Sequence, residues 1–131
     1  MAKWKYIRSD TYRRGITIFI GNSEEYVDFL KNSSYKDNEE LIERATNIRN
    51  RNALACCYND NNEGQSIIYL PFFPSTPARI ACLGHEILHA VFHILDWCGV
   101  KYSEESEEAF TYLYEFFLNR ALTEKGYKDV E

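Results

Sequence analysis

Residues 84–89 of this chain read Gly-His-Glu-Ile-Leu-His, and they decide the prediction of its fold. Residues four apart lie on the same face of a helix, so His85 and His89 can both bind one metal ion. Zn²⁺ accepts imidazole nitrogens at about 2.0–2.1 Å, and a catalytic zinc ion has three protein ligands and one open position. Glu86 points beside the two histidines, where its carboxylate can take a proton from a water molecule. The stretch therefore predicts a zinc site with His85 and His89 as metal ligands and Glu86 as the catalytic base.

The helix that carries this motif is predicted from about residue 78 to residue 97, and it is apolar on nearly every side. Such a helix is expected to be buried. Pro77 suits its first turn and Gly99 suits its end. Gly84 inside the helix costs about 1 kcal/mol relative to Ala, so we expect another group to pack closely against the backbone there. A buried carboxylate at Glu86 is also costly unless it is paired, and a metal ion would pair it.

The remaining segments predict a sheet and three further helices in a single domain, residues 1–131. The predicted elements are a strand at 15–20, helices at 23–30 and 39–50, a hairpin with strands at 53–58 and 65–70, the motif helix, and a last helix at about 104–123. Strand 65–70 is the expected free edge of the sheet, where an extended peptide can add as a further strand. The basic N-terminus is expected to be solvated, and residues 124–131 are expected to be frayed.

Composition and charge narrow the class of protein. With 131 residues, of which 45% are hydrophobic and 27% charged, the chain has the size and composition of one globular domain. A net charge of −5 argues against nucleic acid as the main partner, because phosphate binding needs concentrated positive charge. The N-terminus lacks the apolar core of a signal peptide, and no apolar run is expected to span a bilayer. We therefore predict a cytoplasmic location and no membrane partner.

The cysteines point to the same reducing compartment. They form neither a C-x-x-C motif nor an ordinary disulfide framework, and they are Cys56, Cys57, Cys82 and Cys98. Free thiols are expected in a reducing setting. Of the four, Cys82 and Cys98 are predicted to lie in the core.

The motif itself does not identify the third metal ligand. His93 continues the series of histidines, but it lies about 12 Å along the helix axis from His85, so we expect it to pack in the protein rather than to bind the same ion. The alternative is a carboxylate from the last helix, and the candidates are Glu104, Glu105, Glu107 and Glu108. Helical spacing places Glu104 and Glu107 on the solvated side and leaves Glu105 and Glu108 both open.

Two further side chains near the motif have alternative predicted roles. Tyr112, one turn after Glu108, is expected to pack in the core, and hydrogen-bond donation to a reacting oxyanion is the alternative. Asp96 is expected to act at the end of the motif helix, and orientation of a ligand histidine is the alternative.

Region 80–118 resembles the small phage-type metallopeptidases of the zincin group, which are minimal proteins of the gluzincin kind. Those proteins pair an H-E-x-x-H helix with a second helix that carries Glu-x-x-Ala-Tyr-Leu. Residues 108–113 of this chain read Glu-Ala-Phe-Thr-Tyr-Leu, with Thr111 where a small Ala is usual. The resemblance implies an α+β, minimal zincin-like fold, in which a small mixed sheet packs against the motif helix and a C-terminal helix. It also implies Glu108 as the third zinc ligand, with Glu105 in reserve.

The function that this resemblance implies is hydrolysis of peptide bonds by a metal-activated water, with a peptide or protein as substrate. A binding module that keeps the zincin fold and its metal, but has lost turnover, is the alternative. A metal-dependent nuclease of the rRNA-maturation type is disfavoured, because its related motif has Gly in place of Glu86 and a third histidine. Nothing in the sequence predicts the oligomeric state.

Overall fold

The computed structural model describes residues 2–51 and 55–130. In this part of the chain, four helices and one five-stranded sheet form an α+β fold, which confirms the predicted fold class. The elements in chain order are β1 (Lys3–Ser9), β2 (Arg14–Ile20), α1 (Ser23–Lys31), α2 (Glu39–Arg51), β3 (Cys56–Asp60), β4 (Gln65–Leu70), α3 (Pro77–Trp97), α4 (Glu107–Leu122) and β5 (Lys128–Asp129).

The strands lie in the order β3-β4-β2-β1-β5. Strands β2 and β4 pair in parallel, with Ile18 opposite Ile68, and the other neighbours are antiparallel. The predicted hairpin is confirmed as β3 and β4, but β3 ends at Asp60 rather than at residue 58, and residues 53–54 of the predicted first strand lie outside the described residues. The prediction that 65–70 is the edge strand is wrong, because β4 lies between β3 and β2 and its two edges are both paired. The edge strands are β3 at one end of the sheet and the short β5 at the other, and an edge strand leaves one row of backbone groups free.

Alternate side chains of the sheet enter two different cores, one on each face. On one face, Ile16, Ile18 and Ile68 pack with α3 and α4. On the other face, Phe19 and Tyr69 pack with α1 and α2. The sheet therefore lies between two pairs of helices, and α3 covers the face on which the isoleucines are buried.

The two ends of the chain differ from their predictions. The N-terminal stretch forms strand β1, in which Ile7 is buried, whereas the basic residues Lys3 and Arg8 are exposed, as predicted. The Nζ atom of Lys5 donates hydrogen bonds to three carbonyl oxygens at the end of α4, which are those of Arg120 (2.7 Å), Thr123 (3.0 Å) and Lys125 (2.8 Å). Residues 128–129 are not frayed, because they form β5 and pair with β1. Positive charge at a helix C-terminus stabilises the unpaired carbonyls there, which accounts for Lys5 at this position of β1.

Helix α3 begins where the sequence predicts. Pro77 occupies its first turn, and the side chain of Thr76 accepts a hydrogen bond from the backbone N–H of Arg79 at 3.3 Å. Gly99, just past the end of the helix, has a φ of +82°, a conformation that glycine adopts at low cost. By length and composition alone α3 could cross a membrane, contrary to the expectation that no run is long enough. It carries the motif, however, and buries Leu83, Ile87, Ala90, Val91, Ile94 and Leu95, as the core helix of a folded domain does.

All four cysteines are free thiols, as predicted. Cys82 is half-buried, whereas Cys98 is exposed just after α3, so the prediction that it lies in the core is wrong. The error arises because Cys98 is the C-cap residue of α3, past its last turn, and so does not belong to the buried face of the helix.

Candidate metal centre

The predicted histidines come together on the exposed side of α3. The Nε2 atoms of His85 and His89 are 3.3 Å apart, and their rings meet edge to face at 78°. One ligand atom each from His85, Glu86 and His89 lies within 4.8 Å of the other two. Two imidazole nitrogens and a carboxylate at this spacing are the donor types that Zn²⁺ accepts.

Glu86 differs from the two histidines in its burial. Only 7% of Glu86 is exposed, and its Oε2 atom is buried without a hydrogen-bond partner among the described residues. Burial raises the pKa of this carboxyl group, and the neighbouring His85 and His89 lower it in part. An unpaired buried carboxylate is unfavourable, so a cation beside it would relieve the cost. The residues present therefore fit a divalent metal ion at this position.

Gly84 allows close packing just before the motif, as the sequence predicts. A Cβ atom on Gly84 would lie 2.6 Å from the hydroxyl oxygen of Tyr114, which comes from α4. Tyr114 thus holds α4 against α3 one residue before His85. Sequence reasoning missed Tyr114, although its place on the same side of α4 as Phe110 and Phe117 was a signal that could have found it.

The predicted third ligand is not part of the group of three. Glu108 lies in the first turn of α4 with an exposed side chain, and the ligand cluster found among the described residues contains His85, Glu86 and His89 alone. Glu105 precedes α4, which begins at Glu107 rather than at about 104. The role of Glu108 as third ligand, with Glu105 in reserve, therefore stays a prediction.

His93 lies apart from the metal group and contacts the hairpin. Its Nε2 atom is 2.9 Å from the backbone oxygen of Asp60, in β3. One turn further, the ring of Trp97 covers Gly64, where an added Cβ would clash with the Trp97 Cγ atom. The expectation that His93 packs in the protein is confirmed, and its half of α3 fixes the position of the edge strand.

Among the described residues, no contact joins Tyr112 or Asp96 to His85, Glu86 or His89. Tyr112 is 66% exposed, so the prediction that it packs in the core is wrong. It lines a surface hollow of about 430 Å³ together with Ser9, Asp10, Thr11, Tyr12 and neighbouring residues of α4. Asp96 is exposed at the end of α3, and its backbone oxygen accepts a hydrogen bond from Gly99 at 3.0 Å. Its location fits the predicted role at the helix end.

The cysteines of β3 are not poised as metal ligands. Burial, and to a smaller extent the negative charge of Glu86, raise the pKa of Cys56 and of Cys57 to about 12. With a pKa this high, both thiols stay protonated near neutral pH. Because a thiol must lose its proton to bind a metal tightly, neither side chain is ready to bind one. The candidate centre is thus one of nitrogen and oxygen donors.

Comparisons with protein-family models, with curated proteins and with solved structures found no match. The likeness to small zincin metallopeptidases therefore depends on the residues of the motif and of α4.

Proposed function

We propose that this protein is a zinc-dependent metallopeptidase that hydrolyses peptide bonds. The observation that carries the proposal is the convergence of the His85 and His89 nitrogens beside the buried, unpaired carboxylate of Glu86. A purely structural metal site has no need for a glutamate between its histidines, whereas a hydrolytic site needs a base there.

In this proposal His85, His89 and Glu108 would hold the zinc ion. When bound, zinc polarises the scissile carbonyl group and makes a water molecule more acidic. Glu86 accepts the proton of that attacking water and passes it to the nitrogen of the leaving amine. Because Glu86 is buried against the apolar core, its carboxylate is held beside His85 and His89 on α3. Both histidines are exposed, so within the described part of the chain a substrate can reach the site without the movement of a covering segment.

Strand β3 is the surface on which we propose that the substrate lies. It is the edge of the sheet on the side of β4, and α3 contacts both strands. An extended peptide can pair with the free backbone groups of such a strand, and its scissile bond then runs past α3. His93, one turn after His89, contacts the backbone oxygen of Asp60 at the end of this strand.

Zinc content and peptide cleavage test the proposal together. Purified wild-type protein should contain about one zinc ion per chain and cleave members of a peptide library. Glu86→Gln should keep the zinc and lower the cleavage rate at least about a hundredfold, because a positioned acid–base group contributes that much or more. Glu43→Gln, the same change at an exposed position of α2, is the matched control and should alter neither. A protein without stoichiometric zinc would show the proposal to be wrong.

The third ligand has its own test. Glu108→Ala should lose zinc, and Glu105→Ala should keep it. The reverse result would assign the site to Glu105, and retention of zinc in both variants would exclude both residues.

A metal-binding module without turnover is the second candidate function. It is favoured by the exposed position of Glu108 outside the His85, Glu86 and His89 group, which leaves the ligand set incomplete among the described residues. Stoichiometric zinc without cleavage of any library member would support this function over the peptidase.

A further inference from the structure

A ridge of large apolar side chains lies exposed beside the candidate metal centre. We define the aromatic ridge as Leu88, Phe92 and Tyr102, which are 43%, 44% and 59% exposed. The Phe92 and Tyr102 rings are 6.0 Å apart, and both rest on Phe110, at 5.0 and 5.2 Å. Phe110 is itself buried, so it gives the ridge a rigid base. Exposed apolar side chains that cluster in this way mark a binding surface more often than scattered ones do.

The ridge is continuous with the metal centre along α3. Leu88 lies three residues after His85, and Phe92 lies three residues after His89. Residues at this spacing are neighbours on a helix surface, with Cβ atoms about 5–6 Å apart. A peptide that reaches the histidines therefore meets the apolar side chains in the next turn of the same helix.

Negative charge follows the ridge along the chain. Three exposed carboxylates that the proposed function does not assign to the zinc ion lie between Tyr102 and Phe110, and they are Glu104, Glu105 and Glu107. Among residues 2–51 and 55–130, the ion pairs found are Arg8–Asp10 and Arg44–Glu40, and neither includes these three. Their charge is thus not neutralised by another side chain of the described structure. A cationic group beside the ridge would be attracted electrostatically.

We propose that the substrate is a peptide with two features. It has a large apolar side chain that packs on the aromatic ridge. It also has a Lys or Arg, close in sequence to that apolar residue, that faces the carboxylates. The inference rests on the proposed peptidase function and names the class of substrate. The apolar residue supplies affinity through burial against Leu88, Phe92 and Tyr102, and the basic residue sets the direction of the peptide along α3.

Binding of matched peptides to zinc-loaded Glu86→Gln protein tests the inference without turnover. Four short fluorescein-labelled peptides would differ only in one apolar position, Phe or Ala, and one charged position, Lys or Glu. The Phe/Lys peptide should bind tightest by fluorescence anisotropy. Replacing Phe by Ala should weaken binding about tenfold, as expected for loss of a mostly buried aromatic contact. Replacing Lys by Glu should weaken it several-fold, and added salt should reduce that second difference.

Two phenylalanines of equal exposure provide a matched control. Phe92 and Phe72 are both 44% exposed, but Phe72 lies in the loop after β4 and contacts Arg79. Phe92→Ala should abolish the preference for Phe over Ala in the peptide, whereas Phe72→Ala should leave it intact. The double variant Glu104→Gln/Glu107→Gln should reduce the preference for Lys over Glu and keep the preference for Phe.

Several outcomes would overturn the inference. Equal binding of Phe and Ala peptides would do so, and so would equal effects of Phe92→Ala and Phe72→Ala. A protein that forms dimers by sedimentation, and that Phe92→Ala converts to monomers, would assign the ridge to a second copy of the chain. Zinc binding with unselective cleavage would overturn this inference alone, whereas absence of zinc would overturn the proposed function.

Discussion

The two halves of α3 carry histidines at the same spacing and use them differently. His85 and His89 are exposed, and their Nε2 atoms approach each other to 3.3 Å. His93, four residues later, is half-buried and contacts the Asp60 backbone oxygen. A helix rises about 6 Å between residues four apart, so a third histidine in the series reaches a different neighbour from the first. Residue type and spacing thus predict a site only together with what each turn of the helix faces.

The two halves of α3 should differ most in how much their histidines contribute to zinc affinity. His89→Ala should weaken zinc binding by more than about a hundredfold, because loss of groups that merely orient a ligand already costs about 10–100-fold. His93→Ala should change zinc affinity by less than about twofold, since its partner is a backbone oxygen of the hairpin. Competition with a chromophoric chelator measures both. Equal losses of affinity would mean that His93 belongs to the metal centre.

The free energy of unfolding should depend on the C-terminal half of α3, which carries His93 and Trp97. Gly64→Ala should lower the free energy of unfolding by at least about 2 kcal/mol, because it combines a positive φ with a clash against a packed ring. Gly64 has a φ of +68°, and its added Cβ would meet Trp97. Gly99→Ala is the control, with a φ of +82° but no atom within 4 Å of the added Cβ, and should cost only about 1 kcal/mol. Urea denaturation compares the two, and similar losses would show that the Trp97 contact contributes nothing.

The pH dependence of stability should report on Glu86 in metal-free protein. Burial raises the pKa of its carboxyl group in the folded state. A raised folded-state pKa contributes stability that is fully present below the unfolded pKa, about 4.3, and is lost as pH rises through the folded value. With a chelator present, Glu86→Gln should therefore stabilise the protein at about pH 8 by about 1 kcal/mol, and less at about pH 4. Thermal unfolding at the two pH values measures this. An unchanged difference between them would indicate that the folded carboxylate is not destabilised.

The smallest expected effect concerns the contact between Gly84 and Tyr114. In the Tyr114→Phe background, Gly84→Ala should stabilise the protein by about 0.5–1 kcal/mol, because Ala favours a helix and the hydroxyl no longer obstructs the methyl group. The next ring atom, at 3.7 Å, is at an ordinary contact distance. In the wild-type background the same change should give no gain. A double-mutant cycle gives the coupling, and a value near zero would mean that Tyr114 does not constrain this turn.

The local pattern predicted the elements that carry the motif, and long-range pairing accounts for most of the errors. The boundaries of β4 were predicted in full and those of α3 within one residue, because apolar periodicity and Pro77 are local signals. The edge strand was misassigned because β2 pairs with β4 across two intervening helices, which no local pattern encodes. Strand β1 was missed because Lys5 is explained only by the carbonyl groups at the end of α4.

The candidate site was predictable to the extent that one helix carries it. His85, Glu86 and His89 lie together because helix geometry alone brings them together. The side chain of Glu108 comes from another helix, so its position relative to the histidines depends on the packing of α4. Helical spacing places Tyr114 on the packed side of α4 with Phe110 and Phe117, but it gives no sign of the glycine on α3 that Tyr114 covers.

The pairing of β1 with β5 has a consequence for folding kinetics. Lys3 lies opposite Asp129, and the Val130 N–H donates to the Ala2 carbonyl oxygen at 3.0 Å, so residues near both ends of the chain are hydrogen-bonded. Closing a loop of that length costs more chain entropy than closing the β3–β4 hairpin, and contacts of high sequence separation slow folding. We expect the hairpin and α3 to associate early, and the β1–β5 pair to form last. The edge at β5 is then the part of the sheet that opens first during native-state hydrogen exchange.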